Sequence, residues 1–448
     1  MNHRAALAAV LFVSLISPTT RARADDAKRA VPDYDGRGDD PTTAGDVLLW
    51  VPRVVLSPLY LLSEYVVRRP LGALVTAVEE NEVPALVIDI FTFDGGNAGF
   101  APTFLFDFGL EVGARASVGV YFFWDDLITK GHKLRARAAI GGEDWLELDL
   151  TNRFAFAEDH EIYLSLDLHR RKDGLFAGIG PSFAEEAVGR YGFEVTAATI
   201  GTESEIGKRG WLITGLELRH TSFFRGTCCE HDAPTLQDQR DAGYYAIPPG
   251  FEREHLQLIP KVELALDSRH VRPASETGVR VSVDAEYGQD LAGEDASYVR
   301  GGGEVGGFVD LYEHRTLGLR LYTNLTEPTG DGALSFADLS QLGGKLPMRA
   351  FVEGQLRGRS AFVATLDYRW PIWVWLDGNL FAELGNVFGP GYDGMSLDKM
   401  RVSFGMGVRP ADREDHPFEL LFAFGTDTAA QGLDITNFRV VFGTTSGF

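Results

Sequence analysis

The chain has 448 residues, with 42 Lys and Arg against 64 Asp and Glu, which gives a formal net charge of −22. This acidic balance excludes nucleic acid as a partner, because phosphate binding requires a basic surface. The presence of only 2 Cys excludes a disulfide scaffold and the multi-cysteine zinc modules. A helical membrane protein is also excluded, because no run of about 18 apolar residues occurs in the chain.

Residues 1–24 have the pattern of a secretory signal peptide. Arg4 supplies positive charge, residues 5–16 are apolar, and Ala22–Ala24 has the small-x-small pattern that signal peptidase cleaves. A short buried helix is the alternative interpretation, but no amphipathic segment follows. The pattern therefore predicts export to the periplasm, with a mature chain that begins near residue 25.

Residues 25–95 are predicted to form a flexible lead-in followed by short apolar or amphipathic helices. The first part is rich in Asp, Gly, Pro and Thr. Residues 47–80 are strongly apolar, but Pro52, Pro58 and Pro70 interrupt them. A proline inside a helix costs about 3 kcal/mol, so several short helices are expected in place of one spanning helix. They would pack on a larger body or lie at a membrane surface.

From residue 96 to residue 448, apolar residues alternate with polar or small ones. Clear examples are Phe104, Phe106 and Phe108 against Asp107 and Gly109, and Leu164, Leu166 and Leu168 against Ser165 and Asp167. Strict alternation predicts strands with one apolar and one polar face. These segments run for about 9–11 residues, which is the length of a tilted membrane crossing.

The length and alternation of these segments predict an all-β fold, a transmembrane antiparallel β-barrel. Only a closed barrel satisfies every backbone group in lipid, and the length of the region corresponds to about 16 strands. The apolar face would contact lipid and the polar, acid-rich face would line the lumen. A soluble β-propeller is the competing architecture, but no motif repeats at a fixed spacing.

Four motifs follow one another in the C-terminal half of the chain. In order they are Asp267-Ser268-Arg269; Arg349-Ala350-Phe351; Asp367-Tyr368-Arg369 with Pro371; and Phe381 and Glu383 with Gly385 and Asn386. Together they resemble the BamA/TamA superfamily of outer-membrane barrels, also called the bacterial surface antigen domain. The resemblance extends from about residue 265 to the C-terminus, and the order of the motifs is that of the family.

The resemblance implies that the long glycine-rich loop between about residues 323 and 361 folds back into the barrel. In the family, the arginine of the loop tripeptide pairs with an acidic residue on the barrel wall. Leu380, Ala382 and Leu384 are expected to face lipid, so Glu383 faces the lumen. We therefore predict a lock in which Arg349 contacts Glu383 and Phe351 accompanies it; a solvent-exposed Arg349 is the alternative. The chain departs from the family at Ala350, where Gly is usual, and at Glu383, where Asp is usual.

The C-terminal segment carries a second set of residues with a possible function. Phe438, Val440 and Phe442 alternate, and the sequence ends at Phe448. This resembles the terminal strand that the outer-membrane assembly machinery recognises by strand addition. It predicts the Gram-negative outer membrane as the location, with membrane lipid and lipopolysaccharide as surroundings and the assembly machinery as a partner in biogenesis. The protein is predicted to be a monomer.

Cys228 and Cys229 lie beside Glu230, His231 and Asp232 in a polar segment. A disulfide or free thiols are the favoured interpretation, because adjacent cysteines cannot both bind one tetrahedral ion without strain. A transition-metal site is the alternative. The chain lacks nucleophile-elbow, phosphate-loop and zinc-protease motifs, so neither an enzyme nor a cofactor is predicted.

Three functions agree with the sequence. The first is a BamA-like role in protein or lipid movement and assembly at the outer membrane, with a weak seam between the first and last strands near Gly443 and Gly447. The second is a passive pore that prefers cations, and the third is a structural surface barrel. The family's inserting and secreting members carry soluble polypeptide-transport-associated domains. Residues 25–95 lack their β-α-α-β-β pattern, so a barrel without these domains is expected.

Overall fold

The computed structural model describes Tyr65 and most of the chain from Phe91 to Thr444. It leaves out residues 111–112, 143–144, 184, 208, 227–233, 270–276, 313, 374–375 and 411–417. The predicted signal peptide, nearly all of residues 25–95 with the predicted lead-in and short helices, both cysteines and Phe448 lie outside the described residues. In the part of the chain that the structure describes, no helix is both long enough and apolar enough to cross a membrane.

Nineteen strands and one short α-helix account for most of the described residues. The strands are β1 Thr92–Phe93, β2 Ala98–Gly109, β3 Gly113–Asp125, β4 His132–Ile140, β5 Leu146–Ala157, β6 His160–Phe176, β7 Gly189–Ile206, β8 Gly210–Arg225, β9 His255–Asp267, β10 Gly278–Asp290, β11 Tyr298–Tyr312, β12 Arg315–Pro328, β13 Ser340–Leu342, β14 Leu356–Gly358, β15 Ser360–Trp373, β16 Leu376–Phe388, β17 Arg401–Pro410, β18 Phe418–Thr426 and β19 Ile435–Thr444. The helix α1 is Leu236–Asp241.

Sixteen of these strands, β2 to β12 and β15 to β19, form one closed antiparallel barrel. Each pairs with its neighbours in the chain, and β19 pairs with β2 to close the ring. The two-residue strand β1 adds to the beginning of β2. The predicted antiparallel barrel of about 16 strands is therefore confirmed.

Side-chain alternation sorts the residues between the outer surface and the lumen. Leu319 and Leu366 form a cross-strand pair between β12 and β15 and are 54 % and 47 % exposed on the outer surface. Thr365 and Asp367, their neighbours in β15, are 1 % and 2 % exposed inside the barrel. Because successive side chains point to opposite faces of a strand, one sequence pattern fixes both surfaces.

The strands differ in length more than the sequence predicted. β4 and β18 have 9 residues, within the predicted range, but β6, β7 and β8 have 17, 18 and 16. The apolar alternation marks only the part of a strand with an apolar outer face. β6 continues through the polar residues 169–173, which carry no such signal.

The long connections lie at one end of the barrel and shorter ones at the other. The connections from β6 to β7, from β8 to β9 and from β12 to β15 lie at the first end, and the connection of residues 158–159 lies at the second. In the connection from β8 to β9, Thr235 caps α1 and donates hydrogen bonds to Asp238 from its backbone N–H and its hydroxyl. These hydrogen bonds lower the pKa of Asp238 below its ordinary value.

Candidate functional site: the luminal loop and the barrel seam

The loop of residues 329–359 folds into the barrel as a small structured unit. β13 and β14 pair within it, from Ser340 with Gly358 to Leu342 with Leu356. The turn that follows β13 requires Gly343, which has a φ of 98° and lies so close to the Val352 carbonyl that a Cβ would clash. The loop is therefore a defined element that presents its tip to the barrel wall.

Arg349, at the tip of this loop, binds two carboxylates of the barrel wall. Its Nε donates to Glu383 Oε1 at 2.9 Å and its backbone N–H donates to Glu383 Oε2 at 2.8 Å. Its Nη2 donates to Asp367 Oδ1 at 3.1 Å, and its guanidinium lies 3.7 Å from the centre of the Phe381 ring. Ser403 adds a fourth hydrogen bond, donating to Glu383 Oε2 at 2.8 Å. The structure thus brings Arg349 and Glu383 together as the sequence predicted, and adds Asp367, which the motifs did not assign to the loop contact.

Phe351, the third residue of the loop tripeptide, is fully buried against the last two strands of the barrel. It belongs to an apolar cluster that includes Leu421 and Ala423 of β18 and Val441 of β19. Ala350 is 2 % exposed and its N–H donates to Ser403 Oγ at 3.2 Å. The alanine at this departure from the family pattern is therefore accommodated within the buried contact.

Arg439 of β19 contacts both the opposite strand of the seam and the luminal loop. The sequence motifs did not identify this residue. Its Nε and Nη2 donate to the two carboxylate oxygens of Asp107 in β2, at 3.0 and 2.8 Å. Its Nη1 donates to the carbonyls of Arg349 and Gly344, each at 3.1 Å. Closure of a barrel makes its first and last strands neighbours. Because alternation places both Asp107 and Arg439 on the luminal face, the sequence contained a signal for this ion pair.

A chain of ion pairs continues from the seam along the inner wall. Asp107 also binds Arg115 of β3, whose Nη1 lies 2.6 Å from Asp173 Oδ2. Asp173 in turn binds Arg171 at 2.6 Å, and Arg171 binds Glu147 at 2.9 Å. Asp107, Arg115 and Asp173 have side chains less than a tenth exposed, and each has two ion-pair partners, so the buried charges of this chain are compensated.

Backbone hydrogen bonds join the described parts of the two seam strands. β19 and β2 pair from Arg439 with Gly109 to Gly443 with Leu105, and the Leu110 N–H donates to the Phe438 carbonyl at 3.1 Å. In the wall, β7 and β8 pair continuously along residues 191–206 of β7.

The remaining motif residues contribute to the wall in different ways. Arg269 binds both oxygens of Asp267, at 2.9 and 2.5 Å, and lies over the Phe308 ring. Tyr368 stacks on Trp370 with 5.7 Å between ring centres. These contacts stabilise the strands and do not reach the loop lock.

Three further motif residues lie near the ends of β15 and β16. Pro371 pairs in register with Asp377 of β16. Asn386 donates to the carbonyls of Lys399 and Pro181, and Gly385 lies where a Cβ would meet the strand β15. Asn386 therefore ties a barrel strand to two of the long connections.

The described residues of the C-terminal set, Phe438, Val440 and Phe442, lie on the outer face of β19. Phe442 contacts Phe104 across the seam with 5.2 Å between ring centres, and Phe438 contacts Phe108 at 6.3 Å. The predicted roles of Phe448, Cys228 and Cys229 lie outside the described residues.

One group of possible metal ligands occurs in the described part of the chain. Ligand atoms of Asp149, Asp167 and His169 lie within 4.8 Å of one another on β5 and β6. His169 Nε2 is already 3.0 Å from Asp149 Oδ1, and Arg137 lies 3.8 Å from the other Asp149 oxygen. The neighbouring positive charge of Arg137 disfavours a cation at this place.

A cavity of about 830 Å³ remains in the lumen beside the loop. Its lining includes eleven Arg and one Lys against eight Asp and Glu, an excess of four positive charges. The acid-rich lumen expected from the sequence is therefore not found in this cavity. The loop contributes three cations and two acids to this lining, and the rest of the lining contributes nine cations and six acids, so most of the excess lies on the barrel wall. Strand alternation identified the luminal face but not the sign of its charge.

The closed barrel, the inserted loop and the Arg349 network define a class of large β-barrels with a luminal loop lock. Within this class the chain belongs to the Omp85 superfamily, whose domain model matches residues 128–446. This membership confirms the resemblance to the BamA/TamA group inferred from the motifs. No curated protein sequence matches the chain.

Solved structures similar to the chain have low sequence identity to it. BamA from Haemophilus ducreyi lacking POTRA domains 1–3 is 14 % identical, with 77 % of this chain and 70 % of that chain covered and a TM-score of 0.51. CdiB from Acinetobacter baumannii is 11 % identical, with 78 % and 60 % covered and a TM-score of 0.48. A bacterial polysaccharide outer membrane secretin is 9 % identical, with 78 % and 98 % covered and a TM-score of 0.41.

Proposed function

We propose that the protein serves protein or lipid assembly at the outer membrane by opening the seam between β19 and β2. The contacts of Arg439 carry this proposal. Arg439 of β19 binds Asp107 of β2 across the seam and also donates to the loop carbonyls of Gly344 and Arg349, so movement of the loop would remove contacts that hold the two strands together. A separated strand edge presents unpaired backbone groups and can accept a strand from another protein.

The proposed location is the Gram-negative outer membrane, after export to the periplasm. Membership of the Omp85 superfamily, the fold shared with BamA and the apolar outer surface support this location. We propose that the barrel is a monomer surrounded by lipid and lipopolysaccharide, and that the outer-membrane assembly machinery inserts it. The proposed function requires neither catalysis nor a cofactor.

A disulfide across the seam tests the proposal directly. Phe106 and Phe442 are cross-strand partners with both side chains on the outer surface, a geometry that suits a disulfide. The double variant Phe106→Cys/Phe442→Cys is made with Cys228→Ser and Cys229→Ser, and the full chain is reconstituted in liposomes. Two rates are measured: insertion of a urea-denatured small outer-membrane barrel, and transfer of a fluorescent lipid between leaflets, read by extraction with albumin.

The matched control places the disulfide between β12 and β15, at Leu319→Cys/Leu366→Cys in the same background. We expect the unlocked protein and the control to accelerate at least one of the two processes over empty liposomes, and the seam-locked protein to lose the acceleration until it is reduced. Acceleration by the oxidised seam-locked protein, or no acceleration by the unlocked protein, would reject the proposal.

A passive pore is the second candidate, and the luminal cavity of about 830 Å³ favours it. With an excess of four positive charges in the cavity lining, such a pore would prefer anions, not the cations expected from the sequence. Planar-bilayer recording distinguishes the two functions. A loop-plugged barrel gives small or rare openings that increase when Arg349 is replaced by Ala. Large, steady openings in the unmodified protein would instead support the pore.

Deletion of Phe448 tests the proposed route to the membrane. If the assembly machinery reads the C-terminal strand, the shortened chain should accumulate in the periplasm, and Phe448→Tyr should not. Cell fractionation measures both variants. Normal surface assembly of the shortened chain would remove Phe448 from the recognition signal.

A further inference from the structure

Two luminal arginines, Arg369 of β15 and Arg409 of β17, have no ion-pair partner in the described structure. Both line the luminal cavity. Arg369 follows Asp367 by two residues and therefore shares its luminal face. Neither guanidinium makes a hydrogen bond or an ion pair with another described residue, although most luminal arginines do.

Asp367, the acid that attracts Arg369 most strongly, already binds two other arginines through its two oxygens. Asp367 Oδ1 accepts from Arg349 Nη2 at 3.1 Å, and Oδ2 accepts from Arg320 Nη2 at 2.7 Å. The strongest charge–charge interaction on Arg369 is repulsion from Arg409, and Arg320 and Arg349 add to it. Arg409 is attracted by Glu419, which lies beyond ion-pair distance.

A buried amide lies between the two arginines. Asn379 of β16 pairs in register with Arg369 on one side and with Gly407 of β17 on the other. It is 4 % exposed, and its side chain makes no hydrogen bond to a described residue. A Cβ on Gly407 would be 2.8 Å from Asn379 Oδ1, so the amide occupies the space that the glycine leaves open, two residues from Arg409.

We propose that Arg369, Arg409 and Asn379 bind a phosphate group in the lumen. The guanidinium fork matches the oxygens of a phosphate bidentately, and an amide N–H supplies a further donor. An anion between the two arginines would replace their mutual repulsion by attraction to both. Inorganic phosphate and the phosphorylated headgroup of a lipid share this chemistry.

Phosphate titration of the refolded full chain in a maltoside detergent tests the site. Ionic strength is held constant with chloride, and Tm is followed by circular dichroism. A ligand that binds the folded state raises Tm in a saturable manner. We expect this rise for the unmodified protein, and a loss of apparent affinity of about tenfold or more in Arg369→Gln and Arg409→Gln, equal to about 1.4 kcal/mol of binding free energy.

The matched control is Arg153→Gln on β5, whose arginine is paired with Glu203 at 2.7 Å. It should bind phosphate as the unmodified protein does. In phosphate-free buffer, Arg369→Gln should be at least as stable as the unmodified protein, because the substitution removes repulsion. A lack of saturable phosphate binding by the unmodified protein, or an equal loss in Arg369→Gln and Arg153→Gln, would overturn the proposal.

A second titration identifies the source of the phosphate group. Short-chain phosphatidic acid is compared with inorganic phosphate, and short-chain phosphatidylcholine serves as the lipid control. Tighter binding of phosphatidic acid that depends on Arg369 identifies a lipid headgroup. Equal binding of phosphatidic acid and inorganic phosphate identifies the free anion. Binding of both lipids with no dependence on Arg369 or Arg409 would count against the site.

Discussion

The wall formed by β6, β7 and β8 and the seam formed by β19 and β2 are stabilised in different ways. β7 pairs with β8 along residues 191–206, and among the described residues β19 pairs with β2 along residues 439–443. At the seam, charged side chains and the luminal loop add contacts to the backbone pairing. Arg439 binds Asp107 with two hydrogen bonds, and it also donates to the loop carbonyls of Gly344, Arg349 and Phe351. Backbone pairing therefore dominates in the wall, whereas the seam also depends on side-chain contacts that movement of the loop can remove.

Arg439→Ala should have the largest effect on this difference. Asp107 keeps Arg115, but it loses a nearly buried, bidentate partner, and the loop carbonyls of Gly344 and Arg349 lose a donor. We therefore expect a loss of about 3–4 kcal/mol, toward the low end of the cost of breaking a buried pair. Urea unfolding of the refolded barrel measures the free energy of unfolding, and hydrogen exchange should show faster opening in β2 and β19 than in β7. If hydrogen exchange accelerates equally in β7 and in the seam strands, Arg439 does not stabilise the seam locally.

Arg349→Ala should have the next largest effect. Glu383 would keep Ser403 as a donor and Asp367 would keep Arg320, so the loss is smaller, about 2–3 kcal/mol. The loop of residues 329–359 should also become sensitive to protease. The exposed Lys345→Ala in the same loop serves as the control. If the Arg349 and Lys345 variants unfold and are cleaved alike, Arg349 is not the residue that holds the loop.

Arg170→Ala, on the long wall, should have a small effect. Its Nη1 lies 2.5 Å from Glu194 Oε2, but the two side chains are 40 % and 31 % exposed. Water screens such a pair, so the expected loss is below about 1 kcal/mol. Urea unfolding in parallel with Arg439→Ala makes the comparison between the wall and the seam quantitative. A loss as large as that of Arg439→Ala would show that wall pairs and seam pairs are equivalent.

Ala350→Gly should have an effect at the low end of this series. It restores the residue usual in the family, but Ala350 does not have a positive φ and fits its buried position. Glycine gains entropy in the unfolded chain, so the variant should lose about 0.4–1 kcal/mol. A gain in stability would show that the methyl group strains the loop contact.

Alternation of apolar and polar residues predicted which side chains face the lumen. Contacts that form only when the barrel closes or the loop enters the lumen were not predicted. Leu380, Ala382 and Leu384 on the outer face fixed the direction of Glu383, and the family motif then assigned Arg349 as its partner. Arg439 and Asp107 are 332 residues apart and meet only when the last strand joins the first. The contact of Arg357 with Tyr191 was also missed, because it depends on how deeply the loop enters the lumen. The polar extension of β6 at residues 169–173 had no apolar pattern to reveal it.

The hydrogen bonds of Arg439 couple two movements of the molecule. The same guanidinium bonds a strand across the seam and the carbonyls of the inserted loop. Withdrawal of the loop and separation of the strands are therefore thermodynamically coupled, and each must ease the other by the same factor. A double-mutant cycle between Arg349 and Asp107 would measure that factor. A ligand that binds the loop in a position away from the wall would then also weaken the contact between β19 and β2, although it contacts neither strand.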